Sequence, residues 1–124
     1  MARHRNKLRR EGDCFTQCTQ KMLDSGVGSG FVLVHGLPTG QGGQAQLAGQ
    51  YPHAWIEYHG QCWDPGKDDW FHKDLYYQAG EIKYTQRYTL PMVEQMLVEH
   101  ETYGPWDSAL LARDEEIDEM RVSV

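Results

Sequence analysis

The sequence predicts an α+β domain in which one helix precedes a small antiparallel sheet and further helices follow it. Three observations carry that prediction. Apolar residues recur at helical spacing near both ends, Phe15, Cys18 and Met22 early and Met92, Val93, Met96 and Leu97 late. Between them lie short β-branched or aromatic runs, FVLVH, HAWIEY and QCWDP. The two patterns are segregated along the chain, as in α+β folds, and do not alternate as βαβ units would.

Each element has a local reason. Gly12-Asp13 is a stop followed by an N-cap, so a helix of about ten residues is expected from Cys14, ending at Ser25-Gly26. FVLVH, residues 31–35, reads as a buried strand. Residues 36–52 are rich in glycine and glutamine without periodicity, which predicts a long loop entering directly before His53 and able to cover a cleft there. HAWIEY and QCWDP read as two strands joined at His59-Gly60. From Gly66 to Gly80 only a helical turn near Phe71–Tyr77 is expected, and EIKYTQRYT, residues 81–89, alternates as a strand. Thr89 and Pro91 open a helix over PMVEQMLVEH. Asp107 caps a last helix to about Met120, with Leu110, Leu111 and Ile117 on one side.

The chain has 124 residues, enough for a single domain spanning 1–124 with its own core. A basic arm, 1–11, holds Arg3, Arg5, Lys7, Arg9 and Arg10, while the acidic stretch 107–124 holds Asp114, Glu115, Glu116, Asp118 and Glu119. These read as solvated segments of opposite sign. The net charge of −6 and an arm without interleaved aromatics argue against nucleic acid as a partner. No apolar run reaches membrane-spanning length, and no secretory signal is evident. Three cysteines are an odd number and a poor disulfide framework, which points to the cytoplasm.

Chemistry is concentrated in PHAWIEYHGQCWDP, residues 52–65. With His59-Gly60 as a two-residue turn, Tyr58 faces Gln61 and Trp55 faces Asp64. His53, Trp55 and Asp64 then share one face of the hairpin, with Ala54, Ile56, Tyr58 and Trp63 on the other. A carboxylate beside an imidazole fixes its tautomer and stabilises the imidazolium, the second half of a nucleophile–base–orienter triad. Cys14 supplies a nucleophile, because free N–H groups at a helix start stabilise a thiolate. Cys18, one turn deeper, reads as a small buried hydrophobe, and Cys62 is assigned no role.

Gly12-Asp13-Cys14-Phe15 opening a helix, then His53-Ala54-Trp55-Ile56-Glu57, then Trp63-Asp64-Pro65, resembles the transglutaminase-like branch of the papain-like cysteine enzymes. The resemblance covers about residues 12–65 and keeps the chain order Cys, His, Asp. It implies a papain-like core whose N-terminal helix carries the cysteine and packs on a small antiparallel sheet, with C-terminal helices beyond. It also implies a catalytic triad of Cys14, His53 and Asp64 and cysteine-dependent acyl transfer on an amide-bearing peptide or protein, with hydrolysis, deamidation and amine transfer all open. His53 and Asp64 are closer in sequence than in many of its members, which implies a tight hairpin.

In that chemistry Cys14 attacks a carbonyl, His53 moves the proton, Asp64 holds the ring, and backbone N–H groups at the helix start hold the oxyanion. Asn6 is a side-chain alternative for that last task. Trp55 and Trp63 are expected to support the hairpin and wall the site. The scheme calls for no cofactor and no metal. Two rival readings remain at this stage. One is a catalytically inactive binding protein on the same fold. The other is a small zinc-binding domain drawing on His35, His53, His59, Cys62, Asp64 and His72, although no paired CxxC or HExxH is present. His35 and His72 are competing candidates for the base, whereas His4, His59 and His100 read as exposed.

Overall fold

The computed structural model describes residues 13–40 and 49–122. The basic arm 1–11, with His4 and Asn6, lies outside the described residues, as do the middle of the predicted loop, 41–48, and the last two residues. The chain is α+β. Helix α1 is Cys14–Ser25, followed by strand β1, Val32–Gly36, and two short strands, β2, Thr39–Gly40, and β3, Gly49–Gln50. Then come β4, His53–Tyr58, β5, Gln61–Asp64, β6, Asp69–His72, helix α2, Lys73–Gly80, and β7, Thr85–Tyr88. Helices α3, Leu90–His100, and α4, Ser108–Val122, complete the order.

Five strands form one sheet in the order β6-β5-β4-β1-β7, every neighbouring pair antiparallel, and β2 pairs with β3 in a separate ribbon. The β4–β5 hairpin turns at His59 and Gly60, both at positive φ, 49° and 76°. That is the two-residue turn whose twist matches the strands. It sets Tyr58 opposite Gln61, Glu57 opposite Cys62 and Ile56 opposite Trp63.

One sheet face carries Leu33, Ala54, Ile56 and Trp63 and is covered by Phe15, Cys18 and Met22 of α1, with Val93 of α3 and Leu110 of α4. Burying side chains such as Phe15 and Met22 contributes about 1.5–3 kcal/mol each. The Asp13 carboxylate accepts the Thr16 N–H at 2.9 Å, and Gly26 ends α1 at φ 77°. A cap of this kind contributes about 1 kcal/mol.

The opposite face carries Val34, Trp55 and Cys62 and is covered by Tyr76 and Tyr77 of α2 together with Ile82. Gly36 is required here: a Cβ would lie 2.6 Å from the Trp55 ring and 2.9 Å from the Tyr84 carbonyl oxygen. Its absence leaves room for the Trp55 ring over β1 at Gly36, the register partner of His53.

Several expectations are corrected. Residues 66–80 hold a strand and a two-turn helix, not a single helical turn. The strand expected over 81–89 is confined to Thr85–Tyr88, because Glu81 adopts a left-handed conformation, φ 50°, that ends α2. Leu111 is exposed, whereas Leu110 and Ile117 are buried as expected. Adjacent helical residues point about 100° apart and cannot share a face.

Candidate active site

Cys14 is the first residue of α1 and is partly exposed, whereas Cys18 and Cys62 have no exposed surface. Burial raises the Cys18 thiol well above its ordinary value. Burial, reinforced by the nearby Glu57 charge, pushes Cys62 up to about 12. These two remain protonated, inert thiols, which leaves Cys14 as the accessible sulfur.

His53 begins β4 and Asp64 ends β5, and the hairpin register brings them to one face. His53 Nε2 lies 3.4 Å from Asp64 Oδ2, long for an N–H···O bond but direct. Cys14 lies near enough to be among the groups that raise the imidazole's pKa. With Nε2 turned to the carboxylate, Nδ1 is the ring nitrogen that Asp64 leaves unengaged. The three residues singled out from the sequence are thus brought together, with the ring in the middle.

The carboxylate is held on all sides. Asp64 Oδ1 accepts the backbone N–H groups of Gly66, at 2.8 Å, and Lys67, at 3.3 Å. This is the Asx turn that an Asp-Pro-Gly sequence favours. Oδ2 accepts the Tyr76 hydroxyl at 2.7 Å. Burial by itself would raise the Asp64 pKa, but the hydrogen bonds from His53 and Tyr76, the imidazolium charge and the Gly66 N–H hold it well below the usual carboxylate range. His53 responds in the opposite sense. Burial would lower it, yet the hydrogen bonds to Asp64 and Cys14 and the charges of those groups raise its pKa to about 9. The arrangement therefore stores a protonated imidazole between a carboxylate and a sulfur.

A second buried carboxylate supports the first. Glu57, two residues beyond Trp55 on the same face, accepts the Trp55 indole N–H at 3.0 Å and the Tyr77 hydroxyl, and pairs with Arg87 at 2.6 Å and Lys73 at 3.4 Å. Trp55 in turn packs against His53, ring centroids 5.9 Å apart. Glu57 thus holds the indole against which His53 packs.

Trp55 is fully buried and forms the floor under the imidazole. Trp63 does not wall the site. It points into the α1 side of the sheet, donates to Asp68 at 3.1 Å and carries Lys21 over its ring. Strand alternation puts it on the face opposite Asp64. A cavity of about 480 Å³ does open beside His53 and Asp64, bounded by Tyr51, Tyr76 and Leu75 but by neither tryptophan.

Of the two competing bases, one is sealed in the core and the other stays at the cavity. His35 has no exposed surface and lies among Phe15, Tyr88 and Trp106, with ring centroids 4.8–5.0 Å away. Burial depresses its pKa to about 3. His72 lies on β6, two strands from His53 and opposite Gln61, and lines the same cavity as His53 and Asp64. His59 and His100 are exposed as expected. Among the described residues, no three histidine, cysteine or acidic side chains converge to hold a metal ion. None of the described helices is long and apolar enough to cross a membrane.

Three contributors escape a reading of the sequence. Tyr76 and Tyr77 come from α2, and Tyr51 packs near His53 at 5.9 Å. Burial, then the charges of Asp64 and Cys14, raise the Tyr51 hydroxyl pKa, so it remains a neutral donor beside the pair. Only the Asp-Pro-Gly turn behind Asp64 had a local signal. No protein-family model, curated protein or solved structure matches the chain.

Proposed function

We propose that this chain is a cysteine-dependent acyl-transfer enzyme on a papain-like, transglutaminase-like core, acting on an amide of a peptide or protein through Cys14, His53 and Asp64. One observation carries the reading: the His53 imidazole stands 3.4 Å from the Asp64 carboxylate and near enough to Cys14 for that side chain to help raise its pKa. A sulfur, a ring and an orienting acid in contact are the parts a nucleophilic mechanism needs.

The Cys14 thiolate attacks the carbonyl carbon while His53 holds the proton it has taken. Negative charge develops on the carbonyl oxygen near the start of α1. There the Asp13 side chain takes the Thr16 N–H and the Asp13 carbonyl takes that of Gln17. The N–H groups of Cys14 and Phe15 are in neither bond and are the natural oxyanion donors. His53 then protonates the departing nitrogen, and water or an amine releases the acyl group from sulfur. Asp64 keeps Nε2 engaged throughout, so that Nδ1 faces the sulfur.

The test is intact-mass analysis after exposure to p-nitrophenyl acetate and, separately, to iodoacetamide. One adduct on Cys14 is expected with the native protein, and none with Cys14→Ala, whose melting temperature stays within about 2 °C of the parent because the side chain is small and partly exposed. Asp64→Ala is expected to slow acylation roughly 100-fold without abolishing it. A Cys14 that alkylates near neutral pH no faster than a free thiol in solution would overturn the proposal in favour of an inactive binding protein.

A further inference from the structure

The cavity of about 480 Å³ beside His53 and Asp64 has no part in the thiol chemistry, because Cys14 is not among its walls. A ligand seated there meets the Asp64 side of the imidazole and not the sulfur. We propose that the cavity binds a small monocarboxylate with an apolar body, its head held at Lys67 and the His72 ring and its body against Leu75, Phe71 and Ile82. No bond is made or broken in this site. It goes beyond the acyl-transfer reading and does not rest on it.

Charge selects the head. Protonated His53 and Lys67 bring positive charge to the lining and Asp64 brings one negative charge, so the described walls are net positive. The Asp64 oxygens are already taken by His53, Tyr76 and the backbone of Gly66 and Lys67. The Lys67 ammonium makes no ion pair among the described residues. Neighbouring acids are engaged elsewhere or stand outside the walls. Asp68 accepts the Trp63 indole N–H at 3.1 Å and Asp69 the Trp70 backbone N–H at 2.8 Å, while Asp74 and Glu81 do not line the cavity. The Tyr51 hydroxyl, kept neutral chiefly by burial, adds a donor. A carboxylate therefore finds a free cation and N–H and O–H donors, whereas an ammonium group finds nothing to pair with.

Apolar surface selects the body. Leu75 is 63% exposed on α2, a helix with no buried residue, so it offers uncovered hydrocarbon to a ligand. Phe71 stacks on Tyr76 with ring centroids 6.1 Å apart, and Ile82 and Pro38 extend the same wall. The volume is that of an ordinary small-ligand site. A medium-chain aliphatic acid or an arylalkanoic acid meets both demands.

The probe is octanoate, titrated by calorimetry into the full chain and into Cys14→Ala, with octylammonium and acetate as controls. Octanoate should bind both proteins saturably and equally. Octylammonium, which reverses the head charge, and acetate, which lacks the body, should each bind at least about tenfold more weakly. Lys67→Gln should shrink the advantage of octanoate over octylammonium to below about threefold. Leu75→Asn should weaken octanoate at least about threefold, and melting curves confirm that both surface variants are folded. In nuclear magnetic resonance titrations the Cε1–H signals of His53 and His72 should move together, while those of exposed His59 and His100 stay in place. Saturating octanoate should leave Cys14 open to iodoacetamide, its alkylation rate within about threefold of the ligand-free value. Octanoate binding no tighter than octylammonium or acetate, an unchanged advantage in Lys67→Gln, or full protection of Cys14 overturns the site. An unreactive Cys14 in a chain that binds octanoate in this manner overturns the acyl-transfer reading and leaves the carboxylate site standing.

Discussion

Replacing Asp64 by Asn removes one charge from the site while keeping shape and hydrogen-bonding capacity, and its consequence can be worked out from the geometry. The distance between an ordinary histidine at 6.5 and His53 at about 9 corresponds to about 3 kcal/mol in favour of the protonated ring. Burial opposes that preference, and Asp64 and Cys14 together supply it. In Asp64→Asn the burial penalty stays and the carboxylate's share is lost, so the His53 pKa should fall clearly below about 9. The assay is a pH titration of the His53 Cε1–H signal by nuclear magnetic resonance, assigned with a His53→Gln variant. Stability should follow with a definite sign. His53 has a raised folded-state pKa, so its contribution is full below 6.5 and is lost as pH rises through about 9. Asp64 has a depressed one, so its contribution is present above its unfolded value of 3.8 and fades as pH falls. The variant's deficit, about 2 kcal/mol after allowing for partial exposure of both side chains, should therefore be full between about pH 4 and 6.5, shrink as pH rises toward 9 and fade as pH falls below 4. An Asp64→Asn protein whose His53 still titrates near 9 would refute the electrostatic account of the pair.

Two further outcomes follow from buried groups. His35 is neutral in the fold and depressed to about 3, so the unfolded chain takes up a proton first and stability should drop as pH falls below 6.5, by about 2 kcal/mol at pH 5. In His35→Leu, which also removes two ring nitrogens with no hydrogen-bond partner among the described residues, that part of the acid limb should vanish in denaturant titrations. An unchanged acid limb would show that another group drives it. Glu57→Gln should cost about 1–3 kcal/mol, because Gln places an amide donor among the Trp55 and Tyr77 donors, while half-exposed Arg87 and Lys73 can return to water. Thermal melting checks the cost, and a shifted or broadened His53 signal would report the disturbed Trp55 floor.

The parts of the fold visible in the sequence are those dictated by neighbours along the chain. Asp13 caps α1 through a bond spanning three residues, and His59-Gly60 fixes the hairpin register through its own backbone angles. Asp107 caps α4 in the same local way, accepting the N–H groups of Ala109 and Leu110. What was hidden depends on distant packing. Helix α2 has no buried residue and hence no apolar stripe. Its place is set by Tyr76 and Tyr77 lying half-buried over Trp55, at ring centroids of 5.5 and 5.8 Å. Strand β6 is four residues long and half exposed, and it exists because β5 offers it an edge. Periodicity cannot register elements stabilised in this way.

The same division runs through the candidate site and explains which residue can move. Cys14, His53 and Asp64 were legible because a helix start and a hairpin register place them. The groups that immobilise the acid were not, since Tyr76 reaches Asp64 from α2. Four contacts compete for the Asp64 oxygens, and the closest are the Tyr76 hydroxyl at 2.7 Å and the Gly66 N–H at 2.8 Å, with His53 the farthest at 3.4 Å. The carboxylate is thus oriented by the turn and by α2, independently of the imidazole it serves. On the proposed mechanism, a ring held by the longest bond in such a set is the partner that tilts toward sulfur or toward a departing nitrogen while its acid stays fixed. A proton carrier working between two partners needs that freedom.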